Sequence, residues 1–592
     1  MNPRIAELLN FIYEERAQEA LEKIGPVLEE TRKKIGPPPD YAGGFPLDEG
    51  DAVLITYGDQ FREEGRPPLE VLKDFLDSYL LGTVRGVHIL PFSPYSSDDG
   101  FSVIDFEEVN PEWGSWKDVE AIAAGYSFMA DLVLNHCSKE SPWFKAFLRD
   151  EEPYRDYFIT VAPGTDVSGV FRPRTHPLLT EFKTASGPKL VWTTFSDDQV
   201  DLNYANPDVL ARMIRIFLMY AEKGARIIRL DAIAYLWKEP GTPCLHHPKT
   251  HAVVKLLRAI TDELCPWLII ITETNVPHRE NLSYFGDGEE ARMVYQFALP
   301  PLLLHAFIRG DSRYLQEWAK DIQSPGEGCT FFNFCASHDG IGVLPAKGIL
   351  PDEELEAVVA EVEKRGGRVS YKAAAGGNIA YELNINYFSA VAEQTLSDSQ
   401  RARKFIASQA ILLAMPGVPG IYVHSIIGSQ NWQEGVQQSG INRRINREKL
   451  DYAVFREQMS APASLREEIF CAYENLLAAR MGETAFHPLA ASRVLPTGKE
   501  CFALLRESRD GRQPGRVLCL TNLLPKEADL CFAAKDLGLD GELCNPVNDY
   551  RYKRTGIYFT ELVTGDTVYP TWENGHGFSL TLEPFEVLWL KY

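Results

Sequence analysis

Eight short apolar runs separated by helical stretches, three carboxylates set just beyond such runs, and a late change to brief alternating strands predict the fold class. It is a (β/α)8 TIM barrel with a small domain inserted after strand 3 and a C-terminal antiparallel β domain. The chain starts with Ile5, Leu8, Leu9, Ile12 and Tyr13, then Ala20, Leu21, Ile24, Val27 and Leu28, at helical spacing. GPPPDYAGG from Gly36 breaks that rhythm, so residues 1–45 are expected to form a helical N-terminal extension. The barrel is expected over 46–136 and 225–485, from the runs AVLITYGD, VRGVHILPF, FMADLVLNH, ARIIRLDAI, WLIIITET, MVYQFA, TFFNFCASH and GIYVHSIIG. Their unbroken apolar character is what parallel strands covered on both faces require. Residues 137–224 are too many for a loop and predict the inserted domain. From 486 to 592, CFALLRES, VLCLTNLL, FSLTLEP and EVLWLKY alternate between turn residues, which predicts the closing β domain.

Bulk properties narrow the function. A formal net charge of −23 works against nucleic acid or an anionic membrane as main partner. Ten cysteines without a CxxC pair or metal-type spacing read as reduced thiols. Acidic residues interrupt MNPRIAELLNFIYEERAQEA where a signal peptide needs an apolar core, and no run reaches membrane-span length. A cytoplasmic chain acting on a small molecule, as a monomer or homodimer, is the expectation.

The candidate chemistry sits at strand ends. Asp231 follows ARIIRL, Glu273 follows WLIIIT, and Asp339 follows TFFNFCASH. Carboxylates delivered to a common rim suit a reaction with a cationic transition state, glycosidic cleavage above all. Arg229 and Asp231 lie two apart on one strand and share a face, so the guanidinium can hold the carboxylate ionised. In isolation an RxD pair reads as a structural salt bridge; at a barrel strand end it reads as part of a site. Glu273 next to an apolar strand can carry a raised pKa and act as an acid, although a lone Glu there would read as a solvated terminator. His338 beside Asp339, and His136 in DLVLNH, could equally be satisfied structural groups.

Taken in order, DLVLNH (131–136), ARIIRLDAI (225–233), ITETN (271–275) and ASHDG (336–340) resemble the four short regions of the α-amylase family of retaining α-glycosidases. The resemblance implies Asp231 as nucleophile, Glu273 as general acid/base and Asp339 as transition-state stabiliser, with Arg229, His136 and His338 around the glucose. PFSPYSSDDGFSVIDF, FRPR (171–174), WTTFSDDQVDLN (192–203) and NRRINR (442–447) are similar to the sucrose phosphorylase group within it. That likeness implies Asp98 at the O4/O6 edge, Phe101 as platform, Arg443, Phe195 and Gln199 beside the donor sugar, and Arg174 toward phosphate. Tyr381 and Glu382 fall in the group's mobile acceptor-site loop. Phosphate as attacking group requires cations near carboxylates, and Arg172, Arg174, Arg443, Arg444 and Arg447 are the candidates, at least two of them expected to be structural.

Phe171 stands where sucrose phosphorylases tend to carry tyrosine, which turns the acceptor away from fructose. SDDGFSV, FRPRTHPLLTEF and SGINRRINREKL look closer to the branch acting on α-glucosylglycerate and α-glucosylglycerol, and Arg444 would suit an anionic acceptor. The expected reaction is cleavage of 2-O-α-D-glucosylglycerate by inorganic phosphate to α-D-glucose 1-phosphate and D-glycerate. The alternatives are a glucosylglycerol, sucrose or sucrose 6'-phosphate phosphorylase, a hydrolase or transglucosylase, and, remotely, a non-catalytic sugar-binding barrel. Family members often use Asn135-type residues for Ca²⁺, but the phosphorylase-like branch generally does not, so neither metal nor organic cofactor is expected.

Overall fold

A computed structural model describes residues 2–174, 176–322, 325–374, 377–509, 515–539, 558–573 and 577–592. Eight parallel strands close the barrel: β1 (Val53–Thr56), β2 (Gly86–Ile89), β3 (Ser127–Val133), β4 (Ala225–Asp231), β5 (Ile269–Thr272), β6 (Met293–Tyr295), β7 (Thr330–Asn333) and β8 (Val418–Tyr422). Six fall within their apolar runs, while β3 and β8 begin one and two residues ahead of theirs, and nearly every residue in the eight strands is buried. Both faces of such strands are covered, by the barrel interior and by the surrounding helices, so period-two alternation would gain nothing. The register sets Arg229 of β4 opposite Asp131 of β3 and Ile271 of β5. Laterally paired residues point to the same face, so the Arg229 and Asp131 side chains meet inside the barrel.

The chain opens with α1 (Pro3–Tyr13) and α2 (Ala17–Lys34). The Asn2 side chain caps α1 by accepting from Arg4 N–H, with Pro3 at the first helical position, a cap worth about 1 kcal/mol. Ile5, Leu8, Leu9 and Ile12 are buried against α4 (Pro248–Leu264), and α2 lies on α3 (Pro207–Glu222), pinned by Lys23 to Asp208 at 2.9 Å. Asn206 and His247 cap α3 and α4 in the same way, each followed by proline.

Between β3 and α3, strands Thr160–Val161, Leu179–Thr184 and Gly187–Trp192 form a three-stranded antiparallel sheet. Past residue 490 two antiparallel sheets, of six and three strands, pack around Leu505, Leu518, Leu520, Leu580 and Leu590. Buried Arg506 attaches them to the barrel by donating to the carbonyls of Ala414, Ala485 and His487.

One expectation is corrected. Tyr381 and Glu382 do not lie in a loop; strand Gly377–Asn384 pairs antiparallel with Arg368–Ala374 and with Ile341–Gly342. The ladder slips between Ser370 and Tyr371, leaving Tyr381 as the extra residue of a β-bulge. A bulge re-aims one side chain. Among the described residues no helix is long and apolar enough to cross a membrane.

Candidate active site

The C-terminal ends of the barrel strands surround a pocket with about 630 Å³ of empty space, open solvent at its mouth included. Its wall contains Asp98, Phe101, His136, Arg174, Phe195, Gln199, Asp231, Glu273, His338, Asp339, Tyr381 and Arg443. The sequence had singled out all twelve. Ala232, Tyr235, Thr274 and Asn275 line it too and had not been singled out. Each follows a catalytic-type carboxylate by one to four positions, which is the signal that would have found them.

Arg229 lies beneath the floor and joins the carboxylates. Its Nη1 donates to Asp231 Oδ1 at 2.7 Å and also to Asp131, while Nη2 stands 3.9 Å from Glu273 Oε2. His88 holds the other oxygen of Asp131 at 2.7 Å. Burial opposes ionisation of Asp131, but Arg229 and His88 outweigh it and bring its pKa down to about 2. For Asp231, burial pushes the carboxyl well up, Arg229 opposes, and the neighbouring Glu273 adds to the rise. Burial also raises Glu273, against Arg229, with help from Asp339. Two carboxyls so placed titrate as a pair that retains a proton. Asp231 has the closer hydrogen bond from Arg229, at 2.7 Å against 3.9 Å for Glu273.

Backbone strain collects at the same place. Ala232, directly after Asp231, adopts the left-handed conformation with φ 51°, and its N–H donates to Glu273 Oε2 at 3.0 Å. Asp98 and Asp99 also have positive φ, 53° and 49°. Such residues cost of order 1–3 kcal/mol each and persist where surrounding contacts dictate them.

Asp339 is held ionised. Burial works to protonate it, but Arg443, His338 and Arg447 overcome that, Arg443 Nη1 at 2.6 Å being the nearest. The His338 ring stacks on Phe101 with centroids 4.8 Å apart, and burial lowers its pKa to about 3, so it is neutral. His136 is also kept neutral by burial; its Nε2 donates to the Phe101 carbonyl at 2.9 Å, close to the Gln199 amide. Phe195 packs beside His136 and Tyr235.

Five residues named from the sequence are absent from the wall. Arg229 acts from below. Glu382 is buried and grips Arg443 with both oxygens, at 3.0 and 2.7 Å, which aims that guanidinium at Asp339. Arg444 is held by Asp99 at 2.5 Å, as is Arg447 at 2.6 Å, so neither is free for an incoming anion. Arg172 is exposed. Arg174 alone of the five faces the pocket without a carboxylate partner among the described residues, its guanidinium 6.0 Å from the ring centroids of both Phe195 and Tyr381. Gly340 lets the Ile341–Gly342 strand close on this region, because a Cβ there would stand 2.6 Å from Glu382 Cγ.

Where Asn135 and Asp201 converge, the ammonium of Lys238 fills the space, 2.6 Å from Asp201 Oδ2 and bonded to Asn135 Oδ1. No group of three His, Cys, Asp or Glu among the described residues is arranged to hold a metal ion.

Residues 78–325 match the α-amylase catalytic domain. A glucosylglycerate phosphorylase from Spirochaeta thermophila is 56% identical over 590 residues, covering 99% of this chain and 98% of that protein. The chain belongs to the α-amylase family. Within the family, a glucosylglycerate phosphorylase from Escherichia coli is 40% identical over 92% of each chain. The crystal structure of sucrose 6F-phosphate phosphorylase from Thermoanaerobacter thermosaccharolyticum superposes with a TM-score of 0.70 at 25% identity, covering 80% of this chain and 94% of that one. The pocket sets two neighbouring carboxyls with raised pKa values beside a guanidinium that has no carboxylate partner among the described residues.

Proposed function

We propose that the protein is a retaining glycoside phosphorylase that cleaves 2-O-α-D-glucosylglycerate with inorganic phosphate. One observation carries the reading: Arg174 faces a pocket dominated by carboxylates with no carboxylate of its own. A hydrolase has no need of that charge, whereas a phosphorylase must bring a dianion to within bonding distance of two acids. Near-full-length similarity to a protein named glucosylglycerate phosphorylase supports the choice of acceptor.

In this reading Asp231 attacks the anomeric carbon as the bond from that carbon to the glycerate oxygen breaks, and Glu273 gives that oxygen its proton. A phosphate oxygen then attacks the same carbon, the bond to Asp231 breaks, and the phosphate proton passes to Glu273. α-D-Glucose 1-phosphate departs and the enzyme returns to its starting state. Asp339, fixed by Arg443, sits as a permanent anion to stabilise the oxocarbenium-like transition state. Asp98 and Gln199 hold sugar hydroxyls, with His136 and His338 as neutral partners, and Phe101 and Phe195 supply apolar faces. Buried thiols such as Cys137, Cys265, Cys335 and Cys519, each without a disulfide, support a reducing, cytoplasmic setting. The chain is taken to act as a monomer or homodimer.

The test is release of glucose 1-phosphate from glucosylglycerate, glucosylglycerol, sucrose and sucrose 6'-phosphate, with and without phosphate. Phosphate-dependent release, fastest from glucosylglycerate, is expected. Free glucose at a rate indifferent to phosphate would make the protein a hydrolase instead.

A further inference from the structure

Lys372 lies in strand Arg368–Ala374, one residue beyond the slip that makes Tyr381 the bulge. Its ammonium stands 5.2 Å from the Phe171 ring centroid and 5.9 Å from that of Tyr381. Tyr381 lines the pocket, and Arg174 stands 6.0 Å from the same ring, so two cations share one aromatic wall. Lys372 is half-buried and pairs with no carboxylate among the described residues. Burial and the nearby Lys347 both act against its charge. Ring faces offset only part of such a cost. In a chain with a net charge of −23, a cation left without an acid beside Tyr381, itself part of the pocket wall, indicates a ligand that brings its own anion.

The other cations near the pocket are committed. Arg443 is gripped by Glu382 and Asp339, and Arg444 and Arg447 by Asp99. We propose that Lys372 is the specificity-determining residue of the acceptor side, pairing with the carboxylate of an anionic acceptor while Arg174 remains available to phosphate. A flexible four-carbon stem suits this role, since the ammonium can follow a small carboxylate without a fixed bidentate geometry. The inference rests on the phosphorylase reading and assigns its acceptor selectivity to a residue outside the barrel.

The experiment runs synthesis from α-D-glucose 1-phosphate with D-glycerate or glycerol as acceptor, in the wild type, Lys372→Met and Lys372→Arg. Methionine keeps the stem and removes the charge. The ratio of kcat/KM for glycerate over glycerol should fall about tenfold or more in Lys372→Met and be largely restored in Lys372→Arg, as expected for loss of one charge-assisted contact. The KM for glucose 1-phosphate, read with glycerol as acceptor, reports whether the lysine serves phosphate instead. If Lys372→Met lowers both acceptors in proportion, or raises the KM for glucose 1-phosphate alone, the inference fails while the phosphorylase reading stands. A wild type that transfers to neither acceptor overturns both.

Discussion

Two buried cation–carboxylate clusters lie close together at the C-terminal end of the barrel, built from similar parts with opposite results. Around Lys238, one ammonium meets one carboxylate, Asp201, and the Asn135 amide. Asp201 also accepts from the Thr194 hydroxyl at 2.6 Å, Thr194 N–H and Asn135. Charge balances and the lone pairs are used, so nothing is left to react. Around Arg229, one guanidinium serves Asp131, Asp231 and Glu273. Acid exceeds base, one face opens to the pocket, and the surplus appears as raised carboxyl pKa values. Neutralisation makes a buried polar cluster structural; a deliberate shortfall of positive charge makes it chemical.

The largest expected effect falls on the second cluster. Asp231→Asn should lower turnover by about 10⁴-fold or more, since nucleophile losses of this kind are typically that severe. It should also leave the thermal midpoint equal or higher, because the repulsion between the Asp231 carboxylate and ionised Asp131 is removed. A fall in both would mean that this cluster is structural as well. Lys238→Met should do the reverse. Leaving Asp201 buried without its cation costs about 3–5 kcal/mol, read as a lower denaturation midpoint, and adding Asp201→Asn should recover part of it. Unchanged stability would remove the contrast.

A further effect is on acid stability. Burial lowers His338 and His424 to about 3 in the folded protein, against about 6.5 when unfolded. The unfolded chain therefore binds more protons below pH 6.5, and this contribution is fully present above that value. It is lost as pH falls from about 6.5 toward 3. Thermal midpoints taken between pH 7.5 and 4 should begin to drop near 6.5, above the range in which Asp131 titrates. A flat profile down to pH 5 would show these histidines to be solvated.

Much of this was legible in the residues. The eight strands announce themselves because burial on both faces demands unbroken apolar runs, and Asp231, Glu273 and Asp339 stand out because a charge just past such a run must face the rim. What could not be read was pairing across elements. That Arg444 belongs to Asp99, and Glu382 to Arg443, depends on contacts between segments far apart in sequence. The bulge at Tyr381 is a slip of one residue in a ladder, with no compositional sign in AYELNIN. Nothing in the sequence around Lys238, seven residues after Asp231, marks it as the partner of Asp201.

The Arg229 cluster has one more property, which concerns the total charge that the barrel floor must hold. In the resting state of the proposed reaction it contains Arg229 as a cation, Asp131 and Asp231 as anions, and Glu273 with its proton. In the glycosylated state of the proposed reaction, Asp231 is a neutral ester and Glu273 has given its proton away. The sum is the same. The cycle is isoelectric at its buried centre, so the low-dielectric floor never gains or loses a charge between half-reactions. Every change in net charge is confined to the outer mouth, where anions come and go past Arg174, Tyr381 and Lys372.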